Sequence, residues 1–195
     1  MSYSCLEELQ VDLDLHALDK TNVLSNAGCQ CNEGWFIITD DGICHLFDKD
    51  GNPDDVKKVI QLTEEYIRKD VTKIAIPDSV TSIDCAAFCY CINLTSVMIP
   101  DSVTSIGWSA FSGCINLTNM TIPDSVRNIG NDAFYHCVNL TSVIIPDSVA
   151  SIGMGAFYYC DKLANLTFKG KTLKQVEKMD YYPWGIKDKS IIRIG

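Results

Sequence analysis

Cysteine, histidine and aspartate are the residues of this chain whose spacing could support metal binding or catalysis. Cys29, Cys31, Cys44 and His45 offer four zinc-ligand positions within 17 residues. Their C-x-C…C-H order lacks the C-x2-C spacing of common zinc sites. Successive residues of a strand also point to opposite faces, which separates Cys44 from His45. We therefore predict no metal site in this stretch.

Two aspartate patterns are compared with calcium sites. In the stretch that begins at Asp48, Pro53 and Val59 stand at the sixth and twelfth positions, where an EF-hand loop requires Gly and Glu. We interpret this stretch as a helix start, with Asn52 as the cap and Pro53 at the first helical position. The second pattern is a column at fixed spacing, interpreted as turn caps, and it consists of Asp78, Asp101, Asp124 and Asp147.

A cysteine nucleophile beside a histidine base is the catalytic arrangement that these residues could form. The histidines are His16, His45 and His136, and none lies in a recognisable nucleophile motif. His136 precedes Cys137, but the repeat described below directs Cys137 inward and His136 outward. The sequence therefore predicts no catalytic residues and no cofactor, and it indicates a protein that is not an enzyme.

The charge of the chain is unevenly distributed. The 195 residues have a formal net charge of −9 and a pI near 4.7, which argues against nucleic acid and anionic membranes as partners. Residues 1–70 contain 15 acids and 6 bases, residues 71–168 contain 7 and 3, and residues 169–195 contain 3 and 7. An acidic front and a basic tail favour weak head-to-tail self-association.

The first residues do not resemble an export signal. Glu7 and Glu8 follow closely on Met1, where a signal peptide would have basic and then apolar residues. No apolar run approaches the roughly 20 residues of a membrane span. The chain as written is therefore expected in the cytoplasm, with reduced cysteines. A signal removed beforehand would leave the same sequence.

One pattern recurs four times at intervals of 23 residues. Its I-P-D-S-V segment begins at Ile76, Ile99, Ile122 and Ile145. An A-F pair recurs in phase through Phe88, Phe111, Phe134 and Phe157. A fixed period of about 20–29 residues with recurrent Leu or Ile is typical of leucine-rich repeats. We predict an α+β solenoid, a curved array whose short parallel strands line a concave face.

Each repeat predicts which side chains point outward. The strand before each I-P leaves two concave columns, which are Ser96, Asn119, Ser142 and Asn165, and Met98, Thr121, Ile144 and Thr167. The A-F-x-x-C stretch is interpreted as one helical turn that buries Ala, Phe and a column of free thiols, which are Cys91, Cys114, Cys137 and Cys160. Its outer side carries Trp108, Tyr135, His136, Tyr158 and Tyr159.

The flanking segments are interpreted as the ends of the solenoid. Residues 1–32 have no clear structure in the sequence. Residues 33–70 predict a hairpin and a helix that cap the repeats of residues 71–168. Residues 169–195 predict a C-terminal cap with a short helix and a last strand.

The repeat unit resembles the BspA-like leucine-rich repeats, whose pattern runs close to I-P-x-S-V-T-x-I-G-x-x-A-F-x-x-C-x-x-L-T-x-I. Two departures are Asp84, at a position held by Gly in the other copies, and Lys162, at a position held by Asn. The resemblance implies a non-enzymatic binding solenoid like those of microbial surface proteins and adhesins that bind host proteins. The alternative is an inhibitor or effector, for example a viral one, that acts inside the cell.

Two surfaces are candidates for binding a protein partner. The first is the pair of concave columns, in which Met98 and Ile144 are the large apolar side chains. The second is the outer aromatic set around Trp108, Tyr135 and Tyr158, because Tyr and Trp dominate the binding energy of protein interfaces.

Overall fold

The structure is a computed structural model that describes residues 29–31, 34–38, 43–48, 58–59 and 71–195. Within these ranges the chain is built from short strands and turns, with one four-residue helix, α1 (Leu173–Val176), and one 3-10 helix (Lys189–Ile191). In chain order the strands are β1 Cys29–Cys31, β2 Gly34–Ile38, β3 Ile43–Asp48, β4 Lys58–Val59, β5 Lys73–Ala75, β6 Ser82–Ile83, β7 Ser96–Met98, β8 Ser105–Ile106, β9 Asn119–Thr121, β10 Asn128–Ile129, β11 Ser142–Ile145, β12 Ser151–Ile152, β13 Asn165–Phe168 and β14 Ile192–Ile194.

A nine-stranded sheet runs the length of the molecule, in the order β1-β2-β3-β5-β7-β9-β11-β13-β14. From β3 onward the strands are parallel, and equivalent residues of successive copies pair directly, as Ser142 does with Asn119 and Asn165. The strands β2 and β3 are antiparallel and form the hairpin that the sequence predicts. The 23-residue period is therefore the length of chain that returns each residue to its own copy one strand away.

A second, five-stranded sheet has the order β12-β10-β8-β6-β4 and lies where the sequence predicts only inward-pointing residues. Its strands are two residues long and parallel. The strand β4 corrects the predicted helix after Asn52, because Lys58 and Val59 pair with Ser82 and Ile83. A spacing of three between apolar residues suits both a helix and the V-x-x-I segment of this repeat, so the spacing could not distinguish them. The rest of that predicted helix lies outside the described residues.

The A-F-x-x-C stretches form consecutive tight turns, so the predicted helical turn is wrong. Two positions per copy have positive φ, between 52° and 72°, in the columns Ala86, Ser109, Asp132, Gly155 and Tyr90, Gly113, His136, Tyr159. In the second copy alternate N–H groups donate to the next coil, namely those of Ser109, Phe111 and Gly113, at 2.8–2.9 Å. The groups between them donate to carbonyls within the coil. This alternation satisfies the backbone without a helix.

The core consists of the same side chains stacked coil upon coil. Phe88, Phe111, Phe134 and Phe157 are buried, and successive ring centroids lie 5.4, 5.7 and 5.5 Å apart. The Ala, Val, Ile and Leu positions of the repeat are buried with them, as predicted. The result is a parallel-strand solenoid with little helix, so the predicted α+β class is confirmed only for its solenoid.

The cysteine column is buried and unoxidised, as predicted. Cys91, Cys114, Cys137 and Cys160 are free thiols. The last three donate to the carbonyl of the phenylalanine 26 residues earlier, at 3.1–3.2 Å. Each thiol therefore fills the core as a small apolar group and also satisfies a backbone acceptor of the preceding coil.

An asparagine ladder follows the cysteines on the outside. Asn116 donates to Asn93 at 3.4 Å, and Asn139 donates to Asn116 at 3.3 Å and to the Ile115 carbonyl at 2.7 Å. Lys162 occupies the next position and donates to Asn139 Oδ1 at 2.7 Å. The departure at Lys162 from the repeat pattern thus ends the ladder with a side chain that only donates.

The C-terminal segment packs against the last coil through Trp184. This side chain is fully buried, contacts Phe168 at 5.4 Å, and donates from Nε1 to the Asp180 carbonyl at 2.8 Å. The helix α1 has the predicted capping box between Thr172 and Gln175. Both helices in the described part of the chain are too short to cross a bilayer.

The stacked phenylalanines make a stability prediction. Phe111→Ala should lower the free energy of unfolding by about 3–5 kcal/mol, because it opens a cavity in a middle coil. Met154→Ala is the control, since Met154 is 58% exposed and should change that free energy by less than about 0.5 kcal/mol. Urea unfolding measures both, and a loss below about 1 kcal/mol for Phe111→Ala contradicts the phenylalanine core.

The positive-φ columns make a second stability prediction. Gly113 has a φ of 72°, and a Cβ there would lie 2.5 Å from the Tyr90 ring. Gly113→Ala should therefore destabilise the fold by more than about 1 kcal/mol. Ser109→Gly, at a φ of 53°, should change stability by less than about 0.5 kcal/mol, because relief of the strained φ offsets the greater chain entropy of Gly. Urea unfolding that ranks the two variants in the opposite order contradicts this account.

Candidate functional site

The strand face is the surface formed by the two predicted concave columns. Met98 is 83% exposed and Ile144 is 40% exposed, and Thr121 lies between them in register. Two strand spacings, about 10 Å, therefore separate the two large apolar side chains. The remaining predicted residues of this face are exposed or half-buried, and they are Ser96, Asn119, Ser142, Asn165 and Thr167. The structure does not join Met98 and Ile144 into one apolar patch.

The polar groups in the middle of the strand face bond to one another. The Oδ1 atom of Asn119 accepts from the hydroxyls of Thr141 and Ser142 at 3.2 and 3.4 Å. Its Nδ2 atom contacts the Thr118 hydroxyl oxygen at 3.5 Å. A partner that bound there would have to replace these hydrogen bonds, which lowers the net gain from any new one.

The outer aromatic cluster consists of Tyr135, His136, Tyr158 and Tyr159, on the turns of the last two coils. The Tyr135 ring lies 6.3 Å from that of Tyr158 and 5.5 Å from that of Tyr159. His136 contacts Tyr135 and Tyr159 at 6.2 and 6.3 Å. Tyr158 and Tyr159 are each 41% exposed. Four rings therefore form one connected surface that is only partly covered by the protein.

The positive φ of the turns brings neighbouring rings together. Tyr158 and Tyr159 are adjacent in the sequence, yet their rings meet edge-on at 4.5 Å. The left-handed backbone of Tyr159, with a φ of 59°, allows this contact. A helical turn would place adjacent side chains about 100° apart. For this reason the sequence identified the outward direction of Tyr159 and His136 but did not identify them as part of a binding surface.

Trp108 lies apart from this cluster. It is 58% exposed, and its Nε1 donates to Asp132 Oδ2 at 3.4 Å. Its ring has no stacking contact with the described rings of the cluster. The structure therefore brings together two of the three predicted outer residues, Tyr135 and Tyr158, and leaves Trp108 as a separate exposed anchor.

The C-terminal segment borders the cluster. Gly185 packs so closely that a Cβ would lie 2.8 Å from the Cα of Tyr158. The Nζ atom of Lys187 lies 5.6 Å from the centroid of the Tyr159 ring, in range for a cation–π contact. Hydrogen bonds from Ser190 lower the pKa of Asp188, so this carboxylate stays charged on the same rim. Aromatic and charged groups thus meet at one edge.

A shallow groove separates the last coil from this segment. Its volume is about 140 Å³, and Tyr159, Leu163, Ile186 and Ile191 contribute to its lining. Small-molecule sites usually occupy about 300–1,000 Å³. The groove is therefore suited to one side chain of a protein partner better than to a small-molecule substrate.

Cys137 and His136 do not form a nucleophile and base pair. Cys137 is buried and His136 is exposed. Burial raises the pKa of Cys114 and Cys137 well above the usual range and that of Cys160 to about 12. The thiolate is the reactive form, so these buried thiols are poor nucleophiles at neutral pH.

The strand register separates the residues considered for zinc. Cys29 and Cys31 lie on β1, whereas Cys44 and His45 lie on β3, with β2 between them. The two strands are therefore about 10 Å apart across the sheet. In the described part of the chain, three or more side chains of the ligand types do not come together.

Comparison with known families identifies the repeat. The sequence model described as "BspA type Leucine rich repeat region" matches residues 63–182 in six copies. This span is wider than the predicted 71–168, and it includes much of the C-terminal segment. No curated protein matches the chain.

Solved structures share the same fold. A leucine-rich cell surface protein from Faecalibacterium prausnitzii is 26% identical, with a TM-score of 0.57 over 80% of this chain and 43% of that one. The pneumococcal vaccine antigen PcpA is also 26% identical, with a TM-score of 0.56 over 70% of this chain and 31% of that one. A leucine-rich-repeat protein from Eubacterium ventriosum, 21% identical with a TM-score of 0.53, shares the fold over 75% of this chain and 44% of that one.

The chain spans less than half the length of each of these proteins. The six in-phase matches and the parallel-strand solenoid agree with each other and with the repeat pattern read from the sequence. The chain belongs to the BspA-type leucine-rich-repeat family.

Proposed function

We propose that this chain is a protein-binding module whose partner docks on the outer aromatic cluster. The observation that carries the proposal is the contact of four rings, from Tyr135 to Tyr159, on an exposed surface. Tyrosine offers a large contact area with little conformational freedom to lose, and it is enriched among residues that dominate binding energy. Because the rings already hold one another, less side-chain entropy is lost when a partner binds.

The strand face is the second candidate surface of the same module. Its apolar side chains, Met98 and Ile144, are separated by Thr121, and single exposed apolar residues are common on protein surfaces. The hydrogen bonds to Asn119 also have to be broken for a partner to use that amide. These observations favour the outer aromatic cluster, with Trp108 as an additional anchor.

Display at a microbial surface, with adhesion to host proteins, is the setting we propose for this binding. Support comes from the similarity at 26% identity to a cell surface protein and to a vaccine antigen. The alternative setting is an intracellular inhibitor or effector that covers a host protein with the same cluster. Both settings require the same non-enzymatic binding chemistry and differ in the partner.

A binding experiment tests the surface. The full chain is immobilised and screened in parallel against extracellular-matrix proteins and against a cytosolic lysate, and the dissociation constant of the captured protein is then measured. Tyr135→Ala with Tyr158→Ala should weaken binding by more than about 30-fold, the equivalent of about 2 kcal/mol for a dominant contact. Met98→Ala with Ile144→Ala is the matched control and should weaken it by less than about 3-fold.

The two double variants decide between the surfaces. Both remove exposed side chains, so thermal unfolding should show that both remain folded. If the Met98 and Ile144 pair weakens binding and the tyrosine pair does not, the partner uses the strand face. Capture from the matrix panel supports the surface-adhesin setting, whereas capture from the lysate alone supports the intracellular one.

A further inference from the structure

We infer that the basic C-terminal segment is a docking surface for the acidic N-terminal part of a second copy of this chain. The inference concerns self-association and does not depend on the aromatic cluster. Residues 169–195 contain seven bases and three acids, and residues 1–70 contain six bases and fifteen acids. The two parts therefore have net charges of +4 and −9.

The positive charges of the C-terminal segment are open to a partner. Between residues of the described part of the chain, one ion pair forms, from Lys171 Nζ to Asp147 Oδ1 at 3.1 Å. The other cations of the segment are exposed, and they are Lys169, Lys174, Lys178, Lys187, Lys189 and Arg193. Two of them lie over tyrosine rings, which does not neutralise their charge. This segment is thus a surface of uncompensated positive charge.

The sheet places the two charged parts at opposite ends of the molecule. The strands β1 to β3, from residues 29–48, form one edge of the nine-stranded order, and β14 forms the other. Eight spacings separate β1 from β14, or about 38 Å. Charges interact over only about 8–10 Å at physiological salt. The folded edges of one molecule therefore cannot neutralise each other, whereas two molecules can.

The strand directions allow the same contact to be repeated. The strand β14 is parallel to β13, and two antiparallel steps from β3 through β2 give β1 the same direction. A second copy moved along the solenoid axis brings its acidic end to the basic end of the first without being turned over. Such a head-to-tail contact is open-ended. The overall charge of −9 opposes other orientations, which selects this one.

Sedimentation velocity of the full chain tests the proposal. At about 0.2 mM protein and about 0.05 M salt, the average mass should exceed that of the 21.6 kDa monomer, and it should return to the monomer at about 0.5 M salt. A monomer at both salt concentrations overturns the proposal, and that result includes the case in which residues 1–28 fold back onto their own chain. A mass that does not respond to salt also overturns it.

Two variants of equal net charge separate local from overall repulsion. Lys174→Glu with Lys178→Glu reverses two charges of the docking surface, and Lys73→Glu with Arg127→Glu reverses two exposed charges on the repeats. Each reversal lowers the charge by 2, so both variants change from −9 to −13. The first should stay monomeric at low salt, and the second should still associate. Equal loss in both overturns the proposal.

A third variant keeps the test decisive if the first fails to fold. Glu177→Lys adds positive charge to the same surface, where Glu177 is exposed. It should raise the average mass at low salt above that of the unchanged chain. An unchanged or lower mass counts against docking at this surface, since the net charge also moves toward zero.

Discussion

Backbone hydrogen bonding between coils is the constraint on which the rest of this structure depends. Each coil meets its neighbours in two parallel sheets and along a row of tight turns, so a residue is held by its counterparts in neighbouring repeats. A repeat of a different length would shift the register of both sheets at once. The period of 23 residues, the parallel strands and the stacked phenylalanine rings are consequences of this requirement.

The same constraint explains which features a sequence can reveal. The positions that repeat in the text are those that touch their own copies, and their burial was predictable from period alone, as it was for Phe111 and Cys114. The backbone path between them was not. An Ala-Phe-x-x-Cys spacing suits a helical turn as well as the observed turns, because both bury residues three apart. Positive φ at Ser109 or His136 leaves no clear trace when ordinary residues occupy it.

The ends of the array were harder to predict than its middle. The strand β4 belongs to a coil whose text has diverged, so Val59 fitted a helix pattern as well as it fits the sheet. The capping box at Thr172 was predictable because its signal is local. The contact of Trp184 with Phe168 was not, because it joins two segments that share no period.

Function in this fold is left to side chains that the repeat does not constrain. The turn column that contains His136 also holds Tyr90, Gly113 and Tyr159, and the backbone there is the same in every coil. Chemistry at such a position can change without a change in the framework. The aromatic cluster occupies two neighbouring coils where ring-bearing residues coincide, and the proposed binding surface therefore depends on the order of the coils.

The asparagine ladder gives the array a chemical direction. Its amides donate toward the N-terminal end from coil to coil, and the ammonium of Lys162 closes the series at the other end. Asparagine can both accept and donate, so a duplicated coil in the middle would extend the ladder without disturbing it. A coil added after Lys162 would find no acceptor on that side chain. The repeat number in such a chain can therefore grow by internal duplication, while its C-terminal boundary stays fixed.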